Sequence, residues 1–538
     1  MKGNLKRMLA GTMAFALAFS LTACGNNTES QAVSGSDASS TSPVTPDTAT
    51  ATANVTASDE ELTVALMSEP TTLFALGGTA TESGLIIENA IGGRLLEYDA
   101  STGEITPSLA DSYELVDDTH AKFHIRDGAC YSDGTPVTAA DVLYSFSVAQ
   151  ENANSFTIYM DLANSTAEDD QTVIIAFTEY VPGWEQLFAN PAATITSEAN
   201  VAAAGGAEAA GHNPPIGCGR YVFKEWSSGQ YITIERNENY WDDSYTGYYK
   251  TIRFTFIPDA AARVLALQSG DADVAQRIAM SDYMALQNNP DAKGIPFSTD
   301  RVFSMFFNVQ SDIFSNEKVR EAVAHAIDPQ AVNALQNMGQ GQVVQGWLTP
   351  THPYYKEYYE GGHPAYDPEQ AKALLAEAGY PDGFDCTMVT QASTQQIATV
   401  LQESLRQVGI NMEIQTLEQS TYVATMRAGD YDCYVGATTA GTLSTDNFNQ
   451  LDPAKIGVTI GGYRDDRPKV TAMIEKASSS DEATAQAGWD EIIDLVYGQY
   501  YLVGLCDAID CYGLAGNLEG LKLGKLNYMD VSYVHPVA

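Results

Sequence analysis

The sequence predicts an α/β protein built from two or three lobes. Three observations carry this. From Glu61 to Ala538 the composition is that of a globular chain, and about 480 residues at roughly 150 per domain exceed one lobe. Strand-like and helix-like stretches alternate along that whole length. No internal repeat occurs at the periods of solenoid proteins.

The elements follow from local chemistry. Ala121 to Ile125 alternates, with Phe123 and Ile125 on one face, and predicts a strand. Asp133-Gly134-Thr135-Pro136 is a turn by composition. In Thr138-Ala139-Ala140-Asp141 the threonine and the aspartate form a capping box that opens a helix. Thr172 to Phe177 is β-branched, and Tyr231 to Arg236 reads Tyr-Ile-Thr-Ile-Glu-Arg; both predict strands. Ser315 to Ile327 predicts a helix capped by Ser315, with Val319, Ala322, Val323 and Ala326 on one stripe. Asp367-Pro368-Glu369-Gln370 predicts another, with Asp367 as cap, proline at the first helical position and Gln370 returning to the cap amide. Ala371, Leu374, Leu375 and Ala378 form its apolar face, and Gly379 and Pro381 stop it.

The chain has 28 Lys and Arg against 69 Asp and Glu, a net charge of −41. A phosphate backbone would be repelled by such a surface, so nucleic acid is excluded as a partner, and anionic lipid would repel the folded part too. Membrane attachment must then be covalent. Lys2, Lys6 and Arg7 precede Met8 to Leu21, an uncharged stretch of 14 residues that suits an export signal and is too short to span a bilayer. Leu21-Thr22-Ala23-Cys24-Gly25 resembles the bacterial lipobox, in which the cysteine thiol receives a diacylglycerol and becomes the first mature residue. Residues 1–23 read as the signal peptide, and its removal leaves 25 cationic against 69 acidic residues, net −44. Residues 24–58 read as a lipidated tether. Of the 34 residues after Cys24, 20 are Ser, Thr or Ala and none is cationic, a composition that buries too little to fold. As a random coil it would hold the body roughly 30 Å from the lipid. No later stretch is long and apolar enough for a transmembrane helix.

Catalytic signatures are scarce. Gly-x-Ser-x-Gly, P-loop, Cys-x-x-Cys and His-Glu-x-x-His patterns are all absent, which argues against an enzyme, and no cofactor or metal is expected. Ser315-Asn316-Glu317-Lys318 has the Ser-x-x-Lys spacing of penicillin-interacting enzymes but lacks their other motifs. His120 and His124 share one face of a predicted surface strand and read as solvated histidines, as do His352 and His363 around an aromatic loop. Six cysteines remain after lipidation. Cys506 and Cys511 are the nearest pair, and either a disulfide or buried free thiols would fit them.

Several long segments together resemble one family. Arg94-Leu95-Leu96-Glu97-Tyr98, Pro107 to Glu114, Phe123 to Gly128 and Ser132 to Val142 are similar to the extracellular solute-binding proteins of family 5, the oligopeptide- and dipeptide-binding lipoproteins of ABC importers. Gly217 to Tyr221 with Trp226 and Arg236 to Trp241, then Phe307-Asn308 with Val319 to Ala322 and Ala326 to Asp328, continue the resemblance in the family's order. It implies an α/β fold like that of periplasmic binding proteins of type II, cluster C: two α/β lobes around a hinge plus an inserted third. On this chain that implies lobe I at 59–92, 200–300 and 506–538, lobe II at 93–199 and lobe III at 301–505. The implied partners are a peptide or small-molecule ligand and an ABC permease and ATPase complex, for a monomer at the outer face of the cell membrane.

The resemblance also implies ligand contacts. Phe303, Met305 and Phe306 lie at a crossover where relatives place pocket aromatics, and alternation sends Phe303 and Met305 to one side and Phe306 to the other. Trp347 sits in a pocket-facing loop, and Tyr500 and Tyr501 stand beside the hinge. Peptide-binding relatives carry Trp-x-x-Asp in lobe III, the aspartate pairing with the peptide's ammonium; here the stretch reads Ala437-Thr438-Thr439-Ala440. Thr438 and Thr439 are thus expected at the pocket, with Asp446 as a substitute carboxylate. A buried ammonium without such a partner would cost several kcal/mol, so otherwise the cargo is an oligosaccharide, an opine-like molecule or a metal chelate. A surface hydrolase is the remaining alternative and would need a nucleophile-base pair the motifs do not supply.

Overall fold

Alternating apolar residues and helix caps place the elements one after another along the chain. The computed structural model describes residues 57–537 except 79, 100–103, 243–246, 351, 440–442, 444–450, 452–466 and 525–527. The leader, Cys24, most of the tether and Asp446 lie outside the described residues.

Strand β1 (Glu61–Leu66) leads into α1 (Glu82–Ile91), which Thr81 caps by accepting a hydrogen bond from the Gly84 amide. Next come β2 (Ala110–Asp117) and β3 (His120–Ile125), a hairpin whose second strand buries Ala121, Phe123 and Ile125. Helix α2 (Ala139–Glu151) begins with the predicted capping box of Thr138 and Asp141. Strands β4 (Thr166–Ala167) and β5 (Thr172–Ala176) complete a four-stranded antiparallel sheet in the order β2-β3-β5-β4. Its core interlocks aromatic rings, with Phe123 and Phe188 at 4.4 Å and Phe123 and Trp184 at 5.7 Å.

The second sheet has ten strands. From the first half of the chain come β1, β6 (Tyr221–Ser227), β7 (Tyr231–Arg236), β8 (Thr251–Phe256) and, after α3 (Ala260–Ser269), β9 (Val274–Ile278). The long strand β10 (Ala292–Phe307) follows, then α4 (Glu317–Ala326), α5 (Pro368–Glu377), β11 (Phe384–Thr390), α6 (Gln395–Arg406), β12 (Ile410–Thr416) and β13 (Cys433–Thr439). Helices α7 (Arg467–Ala477) and α8 (Glu482–Gly498) precede β14 (Leu502–Ala515). The strand order is β12-β11-β13-β10-β14-β9-β1-β8-β7-β6. Among the described residues, β10 and β14, of 16 and 14 residues, are the strands that run from the β9 side to the β13 side. On one side of that crossing the core is Leu62, Val64, Ile232, Phe254 and their neighbours; on the other it is Met305, Val323, Leu401 and theirs.

Three local expectations are corrected. Asn316, not Ser315, caps α4, accepting from the Lys318 amide at 3.1 Å, because the helix starts one residue later and the Ser315 hydroxyl donates to the Asp312 carbonyl. Asp367 does cap α5, accepting from Glu369 and Gln370, but the Gln370 side chain turns to His325 Nε2 at 3.3 Å. The Asp367 amide that it would have bonded donates instead to the His325 carbonyl, so a tertiary contact displaces a local one. His352 and His363 are buried rather than solvated: His352 lies edge-on to Trp489 at 4.7 Å, and burial brings His363 down to about 4. His120 and His124 stay at the surface, paired with Asp117 at 2.8 Å and Asp111 at 2.9 Å. Of the two readings of Cys506 and Cys511, free thiols hold: β14 is continuous between them and delivers them to different cores.

Candidate functional site at the crossover strands

β10 and β14 pair antiparallel, and the pairing breaks where the two sides of the sheet meet. Ser298 pairs with Ile509 and Val302 with Asp507, so residues 299 to 301 face Ala508 alone. A second shift falls between Phe303 and Ser304. Such bulges bend a strand, increase its twist and re-aim side chains. The Thr299 hydroxyl donates to the Ala508 carbonyl at 2.7 Å, and the Arg301 amide donates to Thr299 Oγ1 at 3.2 Å.

Beyond the bulge the alternation is strict. Phe303, Met305 and Phe307 enter the core beside α4, where Met305 is fully enclosed, while Phe306 joins the opposite face with Trp347, Tyr434 and Tyr501. Phe306 stacks on Tyr434 of β13 at 4.5 Å and 11°. Thr438 is buried opposite Val302, and Thr439 pairs with Arg301 in the same ladder. The expected residues therefore divide between two surfaces: Phe306, Trp347 and Tyr501 on one, Phe303, Met305 and Tyr500 on the other. Tyr434 and Tyr359 are aromatic neighbours that local sequence did not single out; Tyr359 stacks on Tyr500 at 6.1 Å.

Two expected site residues hold strained backbone. Tyr500 has φ +48° at the end of α8, with its amide bonded to the Tyr497 carbonyl and the Tyr501 amide to Val496, both at 3.0 Å. That is the left-handed helix stop normally given to glycine, and a tyrosine there costs about 1 to 2 kcal/mol. Trp347 has φ +35°. The loop before it lies directly on β14: a Cβ on Gly504 would come within 2.1 Å of the Gln345 and Gly346 backbone, so glycine is required. The Tyr497 hydroxyl donates to the Gly346 carbonyl at 2.8 Å and fixes the loop from α8.

A charged cluster joins the bulge to the carboxyl ends of β1 and β9, the edge at which open parallel sheets take ligands. Arg301 Nη2 lies 2.9 Å from Asp510 Oδ1, Arg277 Nη2 lies 3.2 Å from Asp510 Oδ2, and Arg277 Nε bonds Glu82 Oε1 at 3.0 Å. Gln276 donates to the same Glu82 oxygen at 2.8 Å. Burial raises Glu82 above the usual carboxylate range against the pull of Arg277, with the Asp510 charge adding to the rise. Arg277 itself has φ +43°. Two segments also reach across to the antiparallel sheet: the Ser480 hydroxyl donates to Asp118 Oδ2 at 3.2 Å, and Leu443 is buried in that sheet's core.

At the same crossing the Ser298 hydroxyl donates to Asp507 Oδ2 at 2.5 Å. Comparison with known proteins points to a binding role. The profile of bacterial extracellular solute-binding proteins, family 5 (middle part), matches residues 104–454. The glutathione-binding protein GsiB of Escherichia coli O1:K1 / APEC is 29% identical over 371 residues, 67% of this chain and 70% of that one. The oligopeptide-binding protein AppA of Bacillus subtilis (strain 168) is 28% identical over 401 residues, 69% and 72% of the two chains. Among solved structures, HbpA2 from Haemophilus parasuis superposes with a TM-score of 0.78 at 21% identity, covering 89% of this chain and all of that one. NikA from Brucella suis, in complex with Fe(III)-EDTA, gives 0.76 at 21%, with the same coverage. The chain belongs to the bacterial extracellular solute-binding proteins of family 5, which are the substrate-binding components of ABC importers rather than enzymes.

Proposed function

We propose that this protein captures a peptide or peptide-like solute by closing its lobes about the crossover strands, and delivers it to an ABC permease while a lipid on Cys24 holds it at the outer face of the cell membrane. The observation that carries the reading is the pairing break between Ser298 and Val302 on two strands that bridge two separate cores, the construction expected of a hinge. We place the lobes at 59–92, 200–300 and 506–538, at 93–199 and at 301–505; three cores lie mostly within them, although Val201, Ala204, Ala210 and Cys218 pack with the second lobe's core and Cys506 and Ala508 with the third's. Phe303, Phe306, Trp347, Thr438, Thr439, Tyr500 and Tyr501 are proposed to face or frame the solute, with Met305 packing behind them. Glutathione- and oligopeptide-binding relatives favour a peptide with a free amine, whose partner on this chain would be Asp446.

Closure requires contacts that only the closed state makes, so ligand must compact the protein. Native mass spectrometry for a co-purifying solute, followed by solution scattering with that solute or with glutathione, tests it; unchanged profiles at saturation exclude hinge closure. Calorimetry of Asp446→Asn with glutathione and N-acetylglutathione tests the amine partner. Loss of 2 to 5 kcal/mol, roughly the penalty for stripping a buried charge, together with lost discrimination supports it. Unchanged affinity for both favours the second reading, a non-peptide cargo, which the missing Trp-x-x-Asp aspartate motivates. Cys24→Ala is expected to free the protein into the medium, since a diacylglycerol contributes about 0.8 kcal/mol per buried methylene; a variant still bound to membranes at high salt sinks the anchor.

A further inference from the structure

We propose that Arg301 is the residue that reads a carboxylate on the bound solute. The inference rests on the peptide reading above and adds a second anchor to it, at the opposite charge.

Four observations meet at this side chain. Arg301 lies in the bulge between β10 and β14, where an extra residue re-aims a side chain and where bulges concentrate beside functional sites. It pairs across the ladder with Thr439, the third residue of the Ala437 to Ala440 stretch that stands in place of the Trp-x-x-Asp of peptide-binding relatives. Through Asp510 and Arg277 it is tied to Glu82 at the first turn of α1, hence to the carboxyl edge of β1 and β9. Its side chain is 36% exposed, against 25% for Arg277, 17% for Glu82 and 13% for Asp510, so it is the member of the cluster most open to solvent or solute.

The charge arithmetic leaves it available. Asp510 is a single carboxylate shared by two guanidiniums, and Glu82 serves Arg277. Arg301 uses one terminal nitrogen on Asp510; its Nε and Nη1 hold no hydrogen bond among the described residues. Nη2 carries two N–H groups and gives one to Asp510; the other, together with Nη1 or Nε beside it, leaves one edge of the planar fork to take a carboxylate in paired, parallel bonds. In a chain with 69 acidic and 28 basic residues, an anion entering the cleft meets a repulsive field and needs such a local cation to be retained.

The test compares free acids with their neutral derivatives on full-length mature protein. Probes are trialanine and trialanine amide, and glutathione and its dimethyl ester, each with a free amine, measured by calorimetry on wild type, Arg301→Gln, Arg301→Lys and Arg406→Gln. Arg406 is an exposed guanidinium paired with Glu403 on α6 and serves as the control. The wild type and the control should prefer at least one free acid by about tenfold or more, as expected for a charge-assisted bidentate pair. Arg301→Gln should bind acid and neutral form alike, and Arg301→Lys should keep part of the preference. A role confined to hinge stability would weaken both members of a pair equally and leave their ratio intact, which overturns the proposal. So does an Arg301→Gln protein with the full preference, or a wild type that binds acid and neutral form equally; in both cases the peptide reading survives. A wild type that binds no probe overturns the peptide reading and this anchor with it.

Discussion

Two charge clusters of the same composition, two arginines and two carboxylates, sit at two joints of this molecule and differ in access to water. At the joint of the antiparallel sheet with the β1 side, Arg94 is 1% exposed and Glu88 3%, and the Arg220–Glu97 pair is closed at 2.8 Å with 7% of the Arg220 side chain and 20% of the Glu97 side chain exposed, so the contrast lies in the arginines. Tyr533 and Tyr240 cover Arg220 at 5.0 and 5.6 Å. At the crossover, Arg277, Arg301, Glu82 and Asp510 make comparable contacts, yet Arg301 keeps a third of its surface. Burial decides which cluster is scaffold. A sealed pair cannot exchange its partner for a solute, whereas a half-open one can, at the expense of contributing little to stability.

The largest expected effect follows directly. Arg220→Met leaves the largely covered Glu97 without its hydrogen-bonded cation and should cost about 2 to 3 kcal/mol, whereas Arg301→Gln should cost about 1 kcal/mol or less. Urea midpoints of the two variants measure the gap. Equal shifts would break the comparison and make the crossover cluster structural.

The sealed joint should also show itself in pH. Burial raises Glu88 to about 8 although the Ala75 amide donates to both its oxygens, at 2.9 and 3.1 Å. A carboxyl raised in the fold binds more protons folded than unfolded, so its contribution is complete below about 4.5 and is lost as pH climbs through 8. Glu97 has the opposite sign: burial disfavours its charge, but Arg220 outweighs burial and brings it down to about 2. Its contribution is complete above about 4.5 and fades as pH falls through 2. At about 1.4 kcal/mol per pH unit, Glu88 alone should remove a few kcal/mol between its two limits. Glu88→Gln should flatten that decline in thermal melts at pH 5 to 8 while leaving the acid limb in place. An unchanged slope would mean that Glu88 is ionised in the fold.

How much of this the sequence shows depends on how far apart the partners lie. The capping box of Thr138 and Asp141, the strand of Ala121 to Ile125 and the division of Phe303 and Phe306 between two faces are decided within a few residues, and all are readable as pattern. The cap of α4 shifts by one because Ser315 and Asn316 compete on equal local terms. Gln370 leaves its predicted partner for His325, 45 residues away, and the burial of His352 depends on Trp489 from α8. Arg301 was invisible as a candidate because its meaning comes from Asp510, 209 residues on, and from a bulge that no local motif marks.

The smallest expected effect is the sharpest discriminator between the clusters. Asp510→Asn removes the carboxylate that Arg277 and Arg301 share, at a site 13% exposed. Arg277 retains Glu82, so the stability change should stay near about 1 kcal/mol. Glu82 should move back toward its ordinary range, because the Asp510 charge is one of the influences that raise it, and its cation partner then serves it alone. Arg301 loses its only side-chain partner among the described residues and offers its whole fork to solvent. Affinity for a free-acid peptide should therefore rise a few-fold in Asp510→Asn while affinity for the amide stays constant, a gain that a scaffold residue has no means to produce. The corresponding change at the sealed joint, Glu97→Gln, should lower stability and improve nothing, since the guanidinium beside it lies against the rings of Tyr240 and Tyr533. A loss of acid affinity in Asp510→Asn would instead show that Asp510 holds Arg301 in its reading position, and would move the specificity of the site from one side chain to the pair.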